Sequence, residues 1–229
     1  KRKFNQIRFI IFHYTGMINE KTAIDHLTKS RSKVSSHYFI KKNGKIITLV
    51  PELYTAWHAG VSSWKNFKYL NKYSIGIEIS NPGHDYKYKN FSNEQIKSII
   101  ILSKYLIKKY KIKFKFILGH SDIAPERKKD PGEKFPWKQL SRKKIGLWHS
   151  LDEKKLVKYR GKKLNVSDQN RFIKNLYKIG YPKNLSKKIT FYNKKLTLAF
   201  QRRFRQKITN GIIDQECLLI SENLIKKFV

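Results

Sequence analysis

The chain has 229 residues, 40% of them hydrophobic, and carries 51 Lys and Arg against 16 Asp and Glu, a formal net charge of +35 at pH 7. That length fits one catalytic domain plus a small module. No run of eighteen apolar residues offers a membrane span, and a single cysteine, Cys217, excludes an intramolecular disulfide and argues against a cysteine metal site. The charge alone would admit nucleic acid, but a binding footprint is concentrated. Here residues 1–165 carry +25 and residues 166–229 carry +10, the same density of about 0.15 per residue in both. Only 10 of the 51 bases are arginine. This even, lysine-dominated excess reads as compositional bias, and no specific nucleic acid is expected as a partner. The positive field favours adsorption to anionic polymers or lipid headgroups, in a salt-sensitive way because exposed charges are screened within about 10 Å at 0.1 M.

The first strong element is Phe9-Ile10-Ile11-Phe12-His13-Tyr14-Thr15. With a period of two, Phe9, Ile11 and His13 share one face and Ile10, Phe12 and Tyr14 the other. Apolar residues on both faces predict a central strand covered on both sides. His13 then lies at the strand's carboxyl end, as a hydrogen-bonded core histidine or as a ligand. Asn19-Glu20-Lys21 opens a short helix that ends near Lys29, with His26 inside it read as structural. Asn43-Gly44, between Tyr38-Phe39-Ile40 and a strand over 46–50, predicts a hairpin with positive φ at both central positions.

Ser74-Ile75-Gly76-Ile77-Glu78-Ile79-Ser80 alternates, with the isoleucines on one face and Gly76, Glu78 and Ser80 on the other. A carboxylate inside such a strand is costly to bury unless it is paired or functional. Burial would raise its pKa, which suits a proton-transfer group near neutral pH; the plainer alternative is a strand-edge glutamate bonded to a lysine. Ser92 with Gln95 forms a capping box. After it, Ile96, Ile99, Ile100, Ser103, Leu106, Ile107 and Tyr110 keep the spacing of an amphipathic helix.

Phe114 to Leu118 reads as a further strand, followed by Gly119-His120-Ser121-Asp122-Ile123-Ala124-Pro125-Glu126-Arg127-Lys128-Lys129-Asp130-Pro131-Gly132. His120 falls just past a strand's carboxyl end, where α/β proteins keep their ligands. The prolines and Gly132 predict a stiff loop rather than a helix, able to fold Asp130 back toward His120. One imidazole and one carboxylate make two thirds of a catalytic zinc site, which takes three nitrogen or oxygen ligands and leaves a position open. His13, at another strand end, is the candidate third ligand.

Beyond residue 150 the composition changes. Residues 151–165 are charged and poorly periodic and read as a linker. Helical patterns follow over about 167–179, 194–205 and 214–227, punctuated by Gly180-Tyr181-Pro182 and Asn210-Gly211. Three such helices make a small bundle, marginal by itself. The expected fold class is therefore α/β, a mixed central sheet flanked by helices, followed by a small three-helix C-terminal domain over 166–229.

Phe12-His13-Tyr14-Thr15, Ser36-His37-Tyr38, Ala56-Trp57-His58-Ala59-Gly60, Ile75 to Ile79 and the His120 to Trp137 run together resemble the zinc-dependent N-acetylmuramoyl-L-alanine amidases, the superfamily that also holds the peptidoglycan recognition proteins. The resemblance covers residues 4 to 145 in order; the last motif is long and specific. It implies His13, His120 and Asp130 as zinc ligands, Glu78 as catalytic acid/base and Lys128 as the second catalytic residue. The reaction implied is hydrolysis of the amide between the lactyl group of N-acetylmuramic acid and L-alanine, on peptidoglycan or muropeptides. His37, Trp57 and His58 would lie near the substrate, although Trp57 in the core and locally bonded histidines are an equal alternative; Trp64 and Asn71 are weaker candidates. His84 and His149 are read as solvated loop residues. Leu198-Ala199-Phe200-Gln201-Arg202-Arg203-Phe204 followed by Gly211-Ile212-Ile213-Asp214 resembles the small three-helix peptidoglycan-binding domain, the alternative being a helical appendage that covers the catalytic domain. The chain opens on Lys1, as it would after removal of an upstream signal or lipoprotein segment, and the cell envelope or periplasm is the expected location. Two rival functions follow from other features: a peptidoglycan receptor without turnover, which the complete set of five candidate residues opposes, and a basic nucleic-acid-binding protein.

Overall fold

The computed structural model describes residues 1–183 and 189–228. Its strands are β1 (Phe9–Tyr14), β2 (Tyr38–Ile40), β3 (Ile46–Thr48), β4 (Ser63–Trp64), β5 (Phe67–Lys68), β6 (Ser74–Ile79) and β7 (Ile117–Gly119). β4 and β5 pair with each other; the other five form one mixed sheet in the order β3–β2–β6–β1–β7. β2, β6, β1 and β7 are mutually parallel, and β3 runs antiparallel to β2. The helices are α1 (Glu20–Thr28), α2 (Asn93–Tyr110), α3 (His120–Ile123), α4 (Trp137–Ser141), α5 (Glu153–Leu156), α6 (Val166–Ile179), α7 (Ile189–Phe204) and α8 (Gln215–Phe228).

β1 is apolar on both faces because both are covered. Ile10 and Phe12 pack with Ile75, Ile77 and Ile79 of β6 and with Ile99, Leu102 and Leu106 of α2. Phe9 and Ile11 belong to a second cluster, with Leu118 of β7 and with Phe172, Leu176, Phe200 and Leu224 of α6, α7 and α8. The sheet is thus enclosed between α2 and the C-terminal helices. Phe172 and Phe200 are fully buried, each contributing on the order of 2–3 kcal/mol of transfer free energy.

In the structure the segment 151–165 is packed against its neighbours. Asp152 caps α5 by accepting from the Lys154 N–H at 2.9 Å, and Leu156 is buried in the shared core. Arg160 holds Glu216 of α8 through two 2.7 Å hydrogen bonds, the Gly161 N–H donates to Asp214 at 2.9 Å, and Lys163 bridges to Asp214. One of its charges, Arg160, fastens the segment to α8 through Glu216. The alanine-phenylalanine-glutamine motif has a physical role as well: Gln201 donates to the Ile212 carbonyl at 2.9 Å and accepts from the Gly211 N–H at 2.8 Å, which closes the turn between α7 and α8.

Several local expectations hold. Ser92 and Gln95 form the capping box of α2, with reciprocal bonds of 3.0 and 3.1 Å, and the Asn19 side chain accepts from the Thr22 N–H to start α1. Others shift. The β2–β3 hairpin closes through a Gly44 N–H to Lys41 carbonyl bond, with Gly44 at φ 83° and Asn43 outside the positive-φ set; this is the longer turn with one left-handed glycine rather than a two-residue turn. Phe114–Phe116 forms a 3₁₀ turn, so β7 is only three residues long. His149 is buried and its ring stacks on Trp148. It is not a solvated loop residue, and burial pushes its pKa down to about 4.

Candidate active site

Three adjacent parallel strands deliver the candidate residues to one end of the sheet. β1 and β6 pair in a register that sets His13 beside Glu78. On the other side of β1, β7 ends at Gly119 and His120 opens α3. The loop after α3 turns back, as its prolines and glycine suggest: the Ser121 N–H donates to the Asp130 carbonyl at 2.8 Å and the Lys128 N–H to the Ala124 carbonyl at 3.1 Å. The one departure is local, since His120 to Ile123 form a single helical turn before the loop begins.

The result is a buried triangle of donor atoms. His13 Nδ1 lies 3.0 Å from Asp130 Oδ2 and 3.0 Å from His120 Nδ1, and His120 Nδ1 lies 3.1 Å from Asp130 Oδ2. Among the described residues, His13, His120 and Asp130 are the set of histidine, cysteine and acidic side chains whose ligand atoms converge enough to hold a metal. Tetrahedral zinc, with bonds of about 2.0–2.1 Å, keeps its donors roughly 3.3 Å apart, close to what is seen. Two imidazole nitrogens and one carboxylate oxygen are also the donor set of hydrolytic zinc sites. The residues present therefore fit the metal.

The electrostatics agree. Burial, reinforced by His120, lowers the His13 pKa to about 4, so its ring is neutral, as metal binding requires. Burial would raise the Asp130 carboxyl, but the two imidazoles outweigh it and hold the group ionised far below the usual carboxylate range. Glu78 moves the opposite way: burial and then the nearby Asp130 raise it well above its ordinary value, against the pull of Lys128. Glu78 Oε2 is buried and has no hydrogen-bond partner. An unsatisfied carboxyl oxygen of this kind costs stability and is ready to receive a proton.

A cleft of about 330 Å³ opens over these groups, lined by His13, Glu78, His120, Lys128 and Asp130 together with Trp57 and His58. Trp57 is 61% exposed and stands at the rim, not in the core. His58 is buried, and both of its ring nitrogens are engaged, with His13 at 3.0 Å and Ser74 at 3.1 Å. His37 does not line the cleft. It is wholly buried, accepts from the Gly76 N–H at 3.0 Å and contacts Arg2 and the Tyr54 carbonyl, so the ring is engaged in the interior.

Four residues were missed or underread. Arg127 donates to the Ala59 and Val61 carbonyls, securing the Trp57–Val61 loop to the cleft; its place beside Lys128 in the motif was the available signal. His26, read as structural, is exposed on α1 and lines the cleft. His84 is half-buried, bonded to Tyr14 at 2.9 Å and Glu133 at 3.0 Å, rather than solvated. Asn71 Oδ1 accepts from the backbone N–H groups of both His58 and Ala59, at 3.1 and 2.7 Å.

A metal-competent triad and a buried carboxyl oxygen without a partner thus meet at the carboxyl ends of parallel strands in an α/β sheet. A family profile described as N-acetylmuramoyl-L-alanine amidase matches residues 3–133. N-acetylmuramoyl-L-alanine amidase AmiD of Escherichia coli K12 is 34% identical over 238 residues, covering 98% of this chain and 84% of that protein. Its structure in complex with the substrate anhydro-N-acetylmuramic acid-L-Ala-D-γ-Glu-L-Lys superposes with a TM-score of 0.85 at 35% identity, over 97% of this chain and 90% of that one. AmpDh3 of Pseudomonas aeruginosa, solved in complex with an anhydromuramic pentapeptide, gives a TM-score of 0.84 at 31% identity, over 97% and 92% of the two chains. The chain belongs to the N-acetylmuramoyl-L-alanine amidase family and is an amide hydrolase of that family.

Proposed function

We propose that the chain cleaves the amide between the lactyl group of N-acetylmuramic acid and the L-alanine of the stem peptide, with His13, His120 and Asp130 holding zinc, Glu78 as acid/base and Lys128 as electrostatic partner. The observation that carries this reading is the unpartnered Glu78 Oε2 beside the donor triangle. Zinc bound there supplies Lewis acidity, polarising the scissile carbonyl and acidifying a water to a pKa of about 7.

The chain's own residues account for the proton traffic. Glu78 receives the proton of the attacking water; its raised pKa makes it a base that, once protonated, still holds the proton long enough to deliver it. It then passes that proton to the departing alanine nitrogen. Lys128 presents its ammonium to the carbonyl oxygen as negative charge develops, an interaction stronger in the transition state than in the ground state. Trp57 at the rim offers a flat apolar face to a sugar ring or peptide.

Anhydro-muropeptides are bound in the related complexes, and they are proposed here as substrates alongside polymeric wall, with the envelope as the place of action. The lysine excess supports adsorption to anionic wall polymers or a membrane surface. Mass spectrometry of muropeptides after incubation with purified peptidoglycan, with zinc and with a chelator, tests the reaction. Free stem peptides beginning at L-alanine, seen only with metal, are expected. Wall binding without any released peptide would make the chain a receptor instead.

A further inference from the structure

We infer that His58, backed by Ser74 and held by Asn71, is a positioning residue that fixes which nitrogen of His13 is bare, so that the metal-binding triangle is ready before a metal arrives. The inference rests on the zinc reading of the triangle and deepens it.

The logic runs inward from a group that cannot donate. The Leu70 carbonyl accepts the Ser74 hydroxyl at 2.6 Å. A serine hydroxyl has one proton, so at its 3.1 Å contact with His58 Nε2 the Ser74 oxygen must accept, and Nε2 carries the hydrogen. A neutral imidazole has only one N–H, which leaves His58 Nδ1 as an acceptor. Its 3.0 Å contact with His13 Nε2 is then donated by His13. His13 is therefore protonated at Nε2 and bare at Nδ1, the atom that faces Asp130 and His120.

The next residue meets the other histidine: His120 Nε2 lies 3.2 Å from the Ala59 carbonyl, which only accepts, and 3.4 Å from the Arg127 guanidinium, which only donates, so the inference is confined to His13. Asn71 Oδ1 accepts from the His58 and Ala59 N–H groups together. One amide side chain thus holds the two consecutive residues that address the two ligands. β6 leaves room for this arrangement: a Cβ on Gly76 would lie 2.4 Å from His58 Cγ and 2.7 Å from Nδ1. Glycine at 76 is required by the ring that stands over it.

The test uses the whole chain with His58→Phe, His58→Gln and Ser74→Ala variants. Zinc affinity is measured by competition with a chromogenic chelator, and ring-nitrogen NMR of the metal-free protein reads the histidine tautomers. His58→Phe keeps the ring's bulk but cannot accept, and is expected to weaken zinc binding by about 10–100-fold while His13 moves to its Nδ1–H form. His58→Gln, with a carbonyl that accepts, should recover part of the affinity, and Ser74→Ala should show a smaller loss with a mixed His13 tautomer. A His58→Phe protein with wild-type metal-free melting, zinc affinity within twofold and an unchanged His13 tautomer would overturn the inference. If that variant does not fold, Ser74→Ala decides by the same two readouts. A wild-type chain that binds no zinc would sink the zinc reading, and the metal-free tautomer of His13 would still decide this one.

Discussion

Arg203 is the residue through which the C-terminal helices hold the active-site helix, and its removal gives a quantitative prediction. Its guanidinium, on α7, ion-pairs with Asp122 of α3, two residues after His120, with side-chain exposures of 3% and 1%. It also donates to the Ile117 carbonyl at 3.0 Å and lies 4.2 Å from the Trp137 ring centroid. In Arg203→Met the stem packing survives, but the Asp122 carboxylate stays buried without its countercharge. Losing one partner of a buried pair costs about 3–5 kcal/mol. Asp122 keeps the Gly119 N–H at 2.8 Å and the Tyr181 hydroxyl at 2.9 Å, which places the loss near the lower end, about 3 kcal/mol. At roughly 2–4 °C per kcal/mol for a chain of this size, the melting temperature should fall by about 6–12 °C. Guanidinium unfolding should show one transition, with Arg203→Met/Asp122→Asn recovering a good part of the loss because no charge is left buried. A loss below about 1 kcal/mol, or a separate early transition confined to the C-terminal helices, would refute the reasoning.

Glu78→Gln should bind zinc as the wild type does and lose turnover by at least about 10²-fold, whereas Asp130→Ala should lose the metal itself; metal analysis beside a peptide-release assay separates the two. Lys128→Met should lower kcat by about 10²–10³-fold with zinc content unchanged, and a change confined to KM would assign it to substrate binding only. His149 has a folded-state pKa depressed to about 4, below the unfolded value of about 6.5. The unfolded chain therefore takes the proton first, and stability present above pH 6.5 is lost as the pH falls toward 4. His149→Phe should flatten that limb of a stability–pH curve, and an unchanged slope would show that the ring titrates normally.

Much of the site could be read before the structure because its signals are local. The two-sided apolar run ending in His13, the alternation that isolates Glu78 among isoleucines, and the proline-glycine loop that returns Asp130 each follow from a few neighbouring residues. What could not be read depends on distant contacts. Nothing in Phe9-Ile10-Ile11-Phe12 says that the Phe9 face waits for Phe172 and Phe200, some 160 or more residues away in sequence. The charges of 151–165 resemble a solvated linker until Glu216 is seen to receive Arg160 and Asp214 the Gly161 N–H. His37, His58 and His149 are alike as letters; only burial and ring contacts separate a structural prop from a rim residue. Asn71 stands out only as a weak substrate-side candidate because its work is done on backbone amides, which leave no pattern in side-chain spacing.

The most direct test of the metal centre is to remove zinc by dialysis against a chelator and restore it stepwise, measuring bound metal and stem-peptide release in the same samples. The structure predicts one zinc per chain, activity rising in proportion to it, and neither in Asp130→Ala. Full turnover by metal-free protein, or zinc retained at one per chain after Asp130→Ala, would contradict the assignment of His13, His120 and Asp130 as the hydrolytic centre.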